Sequence, residues 1–375
     1  MALQKCYYII TYHGIAGAEK RFIELCSYLQ QNEHRVDFYM IMSEQLFASV
    51  KENQETYKLL QPWENKVIVY DIDTYGSMLH FQKELYRFIC RHTTINDILH
   101  FVITFPTFIF PLKHRKVIYS LTESSLQNVN IKGKALYLLN VLRAKYIDVL
   151  DPEVYKKICS YFFFKRKRIS LTPGSFVDTT VFKPVDNAQK ENWFVFLGRF
   201  FFIKQVVELL HTVPQLCAKL DAAGIKDYKF IFLGYGQLEP EIRSITALPE
   251  YRNLPIEITK TNNPETILAK SKVFFSLQLR NNYPSKSLLE GMAAGNIPLV
   301  TDVGTTRIAA SPEFSYYVPE HFTATDIEGQ LMAILKLDEA ALKIKMNAAR
   351  DFVIKNFTIQ ASADYYTRLY LGLSL

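Results

Sequence analysis

Arg199 and Lys204 stand five residues apart, directly after the apolar run WFVFLG and just ahead of an amphipathic stretch, VVELLHTVPQL. Two cations at the end of a strand and the start of a helix are unfavourable unless an anion joins them, and together they can clamp a diphosphate from two sides; the competing reading leaves both merely solvated. Gly198 beside them lets a ligand approach the backbone. A second group lies in NNYPSKSLLEGMAAG, residues 281–295. Pro284 suits a helix start and Ser285 its cap, so the N–H groups of Ser287 and Leu288 are available to phosphate. Glu290 sits among Leu289, Met292 and Ala293, beside a buried face, where a carboxylate needs donors such as the two hydroxyls of a ribose. Gly234 and Gly236 bracket a turn after YKFIFL, which either brings backbone close to a bound donor or only reverses the chain, and Gly295 and Asp302–Thr305 frame another turn around IPLVTD.

These loops need a scaffold that brings strand ends together. At 375 residues the chain exceeds one ordinary core and suits two domains. In the first half the apolar runs CYYIITY, RVDFYMIM, KVIVYDID, ILHFVITF and KVIYSLT alternate with amphipathic stretches, the first of them Ala18 to Leu29 after the loop Gly14–Gly17. In the second half WFVFLGRF, YKFIFLGYG, LPIEIT, KVFFSLQ and IPLVTD do the same. Such alternation predicts parallel sheets with helical crossovers, an α/β protein with two doubly wound domains. Thr179 to Asn192 reads as the linker, since it holds no apolar period. The final stretch FVIKNFTIQASADYYTRLYLGL reads as a helix long enough to lie back across the first domain. Ligands of such sheets gather at the carboxyl ends of the strands.

Composition narrows the partners. The formal net charge of +7 attracts anions without naming one, and no zinc-finger, RNP or helix-turn-helix signature turns it into nucleic-acid reading. The five cysteines lack metal or disulfide spacing, which suits a reducing compartment. The N-terminus lacks the features of a signal peptide, and no apolar run is long enough to span a bilayer, so the expected location is the cytoplasm. Tyr161 and the run Phe162, Phe163, Phe164, Lys165, Arg166, Lys167 and Arg168 join aromatics to four cations, a combination suited to the inner face of an anionic membrane. The competing reading packs the aromatics inward. Asp71-Ile72-Asp73 matches a short metal-chelating pattern that arises easily by chance. His13 in the first glycine loop is a candidate acceptor base or contact, or else a loop histidine satisfied by backbone, whereas His100, His114 and His211 belong to no constellation.

In this order, GRF with Lys204, LGYG, LLEGMAAG and IPLVTDVG resemble the retaining glycosyltransferases of family 4, the group 1 glycosyltransferases. The first half carries the resemblance more thinly, in GIAGAEK and LTPGSFVDTTVFKP. The resemblance implies the GT-B architecture, two Rossmann-like domains facing across a cleft. By the same resemblance, residues 1–183, completed by a helix at about 355–375, would form the acceptor domain, and residues 184–354 would form the donor domain. It also implies transfer of a sugar from a nucleoside diphosphate sugar, UDP favoured, to a hydroxyl of a glycan or lipid-linked acceptor in surface polysaccharide biosynthesis. It implies that no metal and no cofactor are needed. Arg199 and Lys204 would hold the diphosphate and Glu290 the ribose, with Ser287 and Leu288 adding backbone donors. Ile258 to Lys260 would line the base, and Gly17 would admit the ligand in the first domain. Two positions depart from the pattern: Asn282 replaces the first acid of a glutamate pair, and Thr122 replaces a histidine that contacts the donor sugar. They motivate an alternative, a non-catalytic sugar-nucleotide-binding homologue or a partner subunit of a transferase.

Overall fold

The computed structural model describes residues 3–11, 15, 17–72, 77–102, 112–121, 131–172, 174–185, 190–281, 283 and 285–372. They form two compact units, Met1–Gly174 with Ile359–Leu375, and Ser175–Thr358.

In the N-terminal unit seven parallel strands form one sheet: β1 (Gln4–Ile10), β2 (Val36–Ser43), β3 (Val67–Tyr70), β4 (Ile98–Val102), β5 (Lys116–Leu121), β6 (Tyr146–Val149) and β7 (Ile169–Leu171). Their order is β3-β2-β1-β4-β5-β6-β7. The C-terminal unit has six: β8 (Glu191–Arg199), β9 (Tyr228–Tyr235), β10 (Ile256–Thr259), β11 (Ser271–Ser276), β12 (Ile297–Thr301) and β13 (Tyr316–Val318), in the order β10-β9-β8-β11-β12-β13. All pairings are parallel. The central strands read as unbroken apolar runs because helices cover both faces, and a parallel strand buried twice has no polar side to show. Phe194, Phe230, Phe232 and Val273 enter one apolar cluster of the C-terminal unit, while Val195, Ile231 and Phe274 enter the other.

Each sheet reverses its order beside its first strand, between β1 and β4 in one unit and between β8 and β11 in the other. At such a switch point the connecting helices leave to opposite faces and open a crevice beyond the carboxyl ends of the two strands.

The N-terminal unit holds a buried polar chain that ties its sheet to the helix Ile359–Leu371. The Tyr370 hydroxyl donates to Tyr8 Oη at 2.6 Å and lies 2.7 Å from His100 Nδ1, and His100 Nε2 meets Ser120 Oγ at 2.7 Å. Ser120, Tyr365 and Tyr366 then donate to Asp148. Burial, aided by Arg21, pushes the His100 imidazolium down to about 3, so the ring is neutral. Burial raises Asp148 against the three hydroxyls that hold its charge. His100 therefore serves packing.

Two expectations change. The final stretch is two helices, Glu339–Asn356 and Ile359–Leu371, broken where Phe357 leaves helical geometry. Phe162 does not reach the surface: it is 3% exposed and packs with Ile158 and Ile169 in the core, because the helix Pro152–Tyr161 ends there and turns its next side chain inward. Its neighbours Phe163 and Phe164 are exposed.

Candidate functional site

Gly198 and Arg199 end β8, and Phe200 drops into the core. That anchor forces the chain into a single turn, Phe202–Lys204, before the helix Val206–Ala222. Gln205 joins the two with φ at 50°, a left-handed backbone that non-glycine residues adopt at a cost of roughly 1 kcal/mol. Its side chain is 2% exposed, and its Nε2 has no hydrogen-bond partner among the described residues. Arg199 is exposed and Lys204 is half-buried. Among the described residues neither forms an ion pair or a side-chain hydrogen bond. Burial first, and then the Arg199 guanidinium, push Lys204 down to about 8. A side chain at Gly198 would meet only the Phe196 ring, at 3.7 Å, so the space beside β8's end is open.

The β9 loop lies against the β8 loop. Phe200 N–H donates to the Tyr235 carbonyl at 2.8 Å, and Leu238 N–H donates to the Phe200 carbonyl at 3.1 Å. A Cβ at Gly234 would stand 1.9 Å from the Gly198 oxygen, and one at Gly236 2.6 Å from the Phe200 oxygen. Both glycines are thus required by loop packing itself. Lys260, just past β10, lies over the Tyr235 ring at 4.6 Å, so these two side chains form an exposed edge of the site.

From the other side comes the loop after β11. Leu279 N–H donates to the Ile203 carbonyl at 3.0 Å, fastening it to the turn that carries Lys204. Thr301 Oγ1 both accepts from Gln278 N–H and donates to its carbonyl. Asn281 Oδ1 accepts from Tyr283 N–H and from both the N–H and the hydroxyl of Thr305. Asn281 therefore fixes the β12 loop to the β11 loop, with Gly304 at φ 52° closing over it. Asp302 is engaged by a bidentate pair with Arg307, which holds its carboxyl below the usual value.

The helix Lys286–Ala293 rises from this loop. Ser285 occupies the N-cap position but makes no side-chain cap, its hydroxyl instead meeting Ser287 Oγ at 3.2 Å. The first helical hydrogen bond runs from Leu289 N–H to the Ser285 carbonyl, so the N–H groups of Lys286, Ser287 and Leu288 belong to the open first turn. The Leu288 side chain is fully buried, which leaves its backbone N–H as its only polar contribution. Glu290 is half-buried, three residues after Ser287 and on the same side of the helix. Gly291 is pinned to the sheet, since a Cβ there would stand 2.6 Å from the Phe274 ring. Gly295, at φ 75°, ends the helix: Asn296 N–H donates to Gly291 O and Gly295 N–H to Met292 O.

The structure thus joins four loops at the carboxyl edge of one sheet and sets Lys204 beside its switch point. His13, Thr122 and Asn282 lie outside the described residues, as does Asp73. Gly17 opens the first helix of the N-terminal unit. Asp71 lines a pocket of that unit with Ser43, Glu44, Gln45 and Tyr70. Among the described residues no three His, Cys, Asp or Glu side chains cluster as metal ligands, and no helix is long and apolar enough to cross a membrane. Sequence reasoning missed Gln205, whose signal is conformational, and the lock made by Asn281, whose partner lies in another loop.

Residues 178–351 match the model of the family described as glycosyl transferases group 1. In three dimensions the chain is similar to a glycosyltransferase from Rickettsia africae (15% identity, TM-score 0.76, 99% of each chain covered). It is also similar to HepE of Anabaena, solved in complex with UDP (11% identity, TM-score 0.74, 99% of this chain and 100% of that one). A third similar structure is sucrose-phosphate synthase from Thermosynechococcus elongatus (14% identity, TM-score 0.68, 98% and 99% covered). No curated protein sequence matches the chain. The architecture is the GT-B fold seen in these glycosyltransferases, and the family match falls within the C-terminal unit.

Proposed function

We propose that this chain is a retaining glycosyltransferase that moves a sugar from a nucleoside diphosphate sugar to a hydroxyl of a glycan or lipid-linked acceptor. The observation that carries the reading is Lys204, a half-buried ammonium that no carboxylate pairs among the described residues, beside Arg199 and at a switch point of the sheet. A protein retains such an uncompensated charge where a ligand supplies the anion. In this reading Arg199 and Lys204 bind the diphosphate together with the open N–H groups of Ser287 and Leu288. Glu290 accepts from the ribose hydroxyls, and Tyr235 with Lys260 borders the base. Gly198 leaves room for the donor, and the unpartnered Gln205 amide is a further hydrogen-bond donor in the same turn. A UDP-sugar is favoured because HepE was solved with UDP, with UDP and glucose, and with UDP-glucose.

As the glycosidic bond to the diphosphate breaks, negative charge grows on the leaving oxygen. Fixed cations and helix N–H groups stabilise that charge most where water is scarce. No protein nucleophile is required if the departing diphosphate itself takes the acceptor proton, and neither cations nor amides at this edge call for a metal. Proton NMR of the product tests the reading: the anomeric configuration of the donor should survive transfer, and a chelator should leave the rate unchanged. An inverted product would reject retention, and a rate abolished by chelation and restored by a divalent cation would reject metal independence. The resemblance to family 4 supports extending this reading to surface polysaccharide assembly.

A further inference from the structure

The segment from residue 131 to 168 holds ten Lys or Arg and three Asp or Glu, so this short stretch equals the formal net charge of the whole chain, +7. Two of its three acids, Asp148 and Asp151, are buried. Among the described residues none of Arg143, Lys145, Lys165, Arg166, Lys167 and Arg168 is ion-paired.

The same surface is apolar. Tyr161 and Phe163 are each 75% exposed and Phe164 60%, with the two Phe rings edge to face at 5.6 Å. Leu138, Leu139 and Leu142, on one face of the helix Ile131–Arg143, are exposed as well. Lys165 brings the two groups side by side, its ammonium donating to the carbonyls of Val141 and Leu142 at that helix's end. The aromatic turn is also clamped at both flanks, by Phe162 and Ile169 in the core. Six large apolar side chains held out to solvent on a clamped turn and a helix end are unusual for a water-facing surface. Their cationic rim selects an anionic partner, and apolar tips beside cations match the headgroup and acyl boundary of a bilayer.

We propose that this face of the N-terminal unit docks on an anionic lipid bilayer, Phe163, Phe164 and the exposed leucines entering the interface while Lys167 and Arg168 meet the headgroups. The inference is independent of the donor site. The test is co-sedimentation of the full chain with vesicles of phosphatidylglycerol and phosphatidylcholine, against vesicles of phosphatidylcholine alone. Binding should require the anionic lipid. The double variants Phe163→Ser/Phe164→Ser and Lys167→Gln/Arg168→Gln should each weaken it by at least about tenfold, with unchanged circular dichroism because the replaced side chains are exposed. Absence of binding, equal binding to neutral vesicles, or binding that survives loss of the two phenylalanines would each overturn the proposal.

Discussion

Gly234→Ala is expected to destabilise the C-terminal unit by about 3 kcal/mol, the upper range for overpacking combined with a strained backbone. The added methyl would stand 1.9 Å from the Gly198 oxygen, across the pairing of β8 with β9. The obstacle is backbone on both sides, so no rotamer relieves it and the two strand ends must part. Gly198→Ala is the control, since its Cβ would find ordinary contact at 3.7 Å. Urea unfolding of the intact chain should show an early transition in Gly234→Ala and a near-normal one in Gly198→Ala, within about 1 kcal/mol. Equal stability of the two variants would mean that the β8 and β9 loops are not packed as described.

Lys204→Ala is expected to lower turnover about a hundredfold, the scale for losing one fixed charge or donor on a developing anion. The apo protein should not suffer in the same way. Lys204→Met removes a half-buried charge that no carboxylate pairs among the described residues and keeps an apolar stem, so unfolding without ligand should be unchanged or shifted to higher denaturant. A role in packing alone would give the opposite pattern. The ionisation of Lys204 adds a pH signature. Its folded value of about 8 lies below the ordinary 10.5, so the unfolded chain binds the extra proton between those values. Stability from this group therefore rises as pH rises through that window and is lost as pH falls through about 8. A bound diphosphate favours the ammonium and raises its pKa, so nucleotide affinity should fall as pH rises past 8. In Lys204→Met that slope should vanish.

Much of the fold was legible because buried parallel strands print as uninterrupted apolar runs. The ten runs read from sequence from CYYIITY to IPLVTD each contain a strand. The strands that escaped, β6, β7 and β13, have three or four residues, too few to show a period or to stand apart from the helices beside them. The polar chain from Tyr8 through His100 to Asp148 was illegible for a different reason. Its members are up to 362 positions apart, and each taken singly looks like an ordinary surface residue.

At the candidate site the sequence revealed the residue types at the strand ends but not the reasons for them. The glycines of LGYG suggested approach by a ligand, yet the carbonyls of Gly198 and Phe200 account for both. In sequence Gln205 is one more polar residue at a helix start; its left-handed backbone, and a buried Nε2 with no partner among the described residues, show only in three dimensions. Arg199 and Lys204 were conspicuous because like charges so close together needed an explanation. The structure sharpens that need, since among the described residues neither is paired with a carboxylate.

The most direct test of the donor site is the melting temperature of the chain measured against UDP, GDP, ADP and their common sugar conjugates, for the native sequence and for Arg199→Ala and Glu290→Ala. A ligand that binds only the folded protein raises that temperature by mass action. The account predicts a rise with one nucleotide family, UDP first, that disappears in both variants. No rise with any nucleotide at millimolar concentration, or a rise untouched by either substitution, would contradict it.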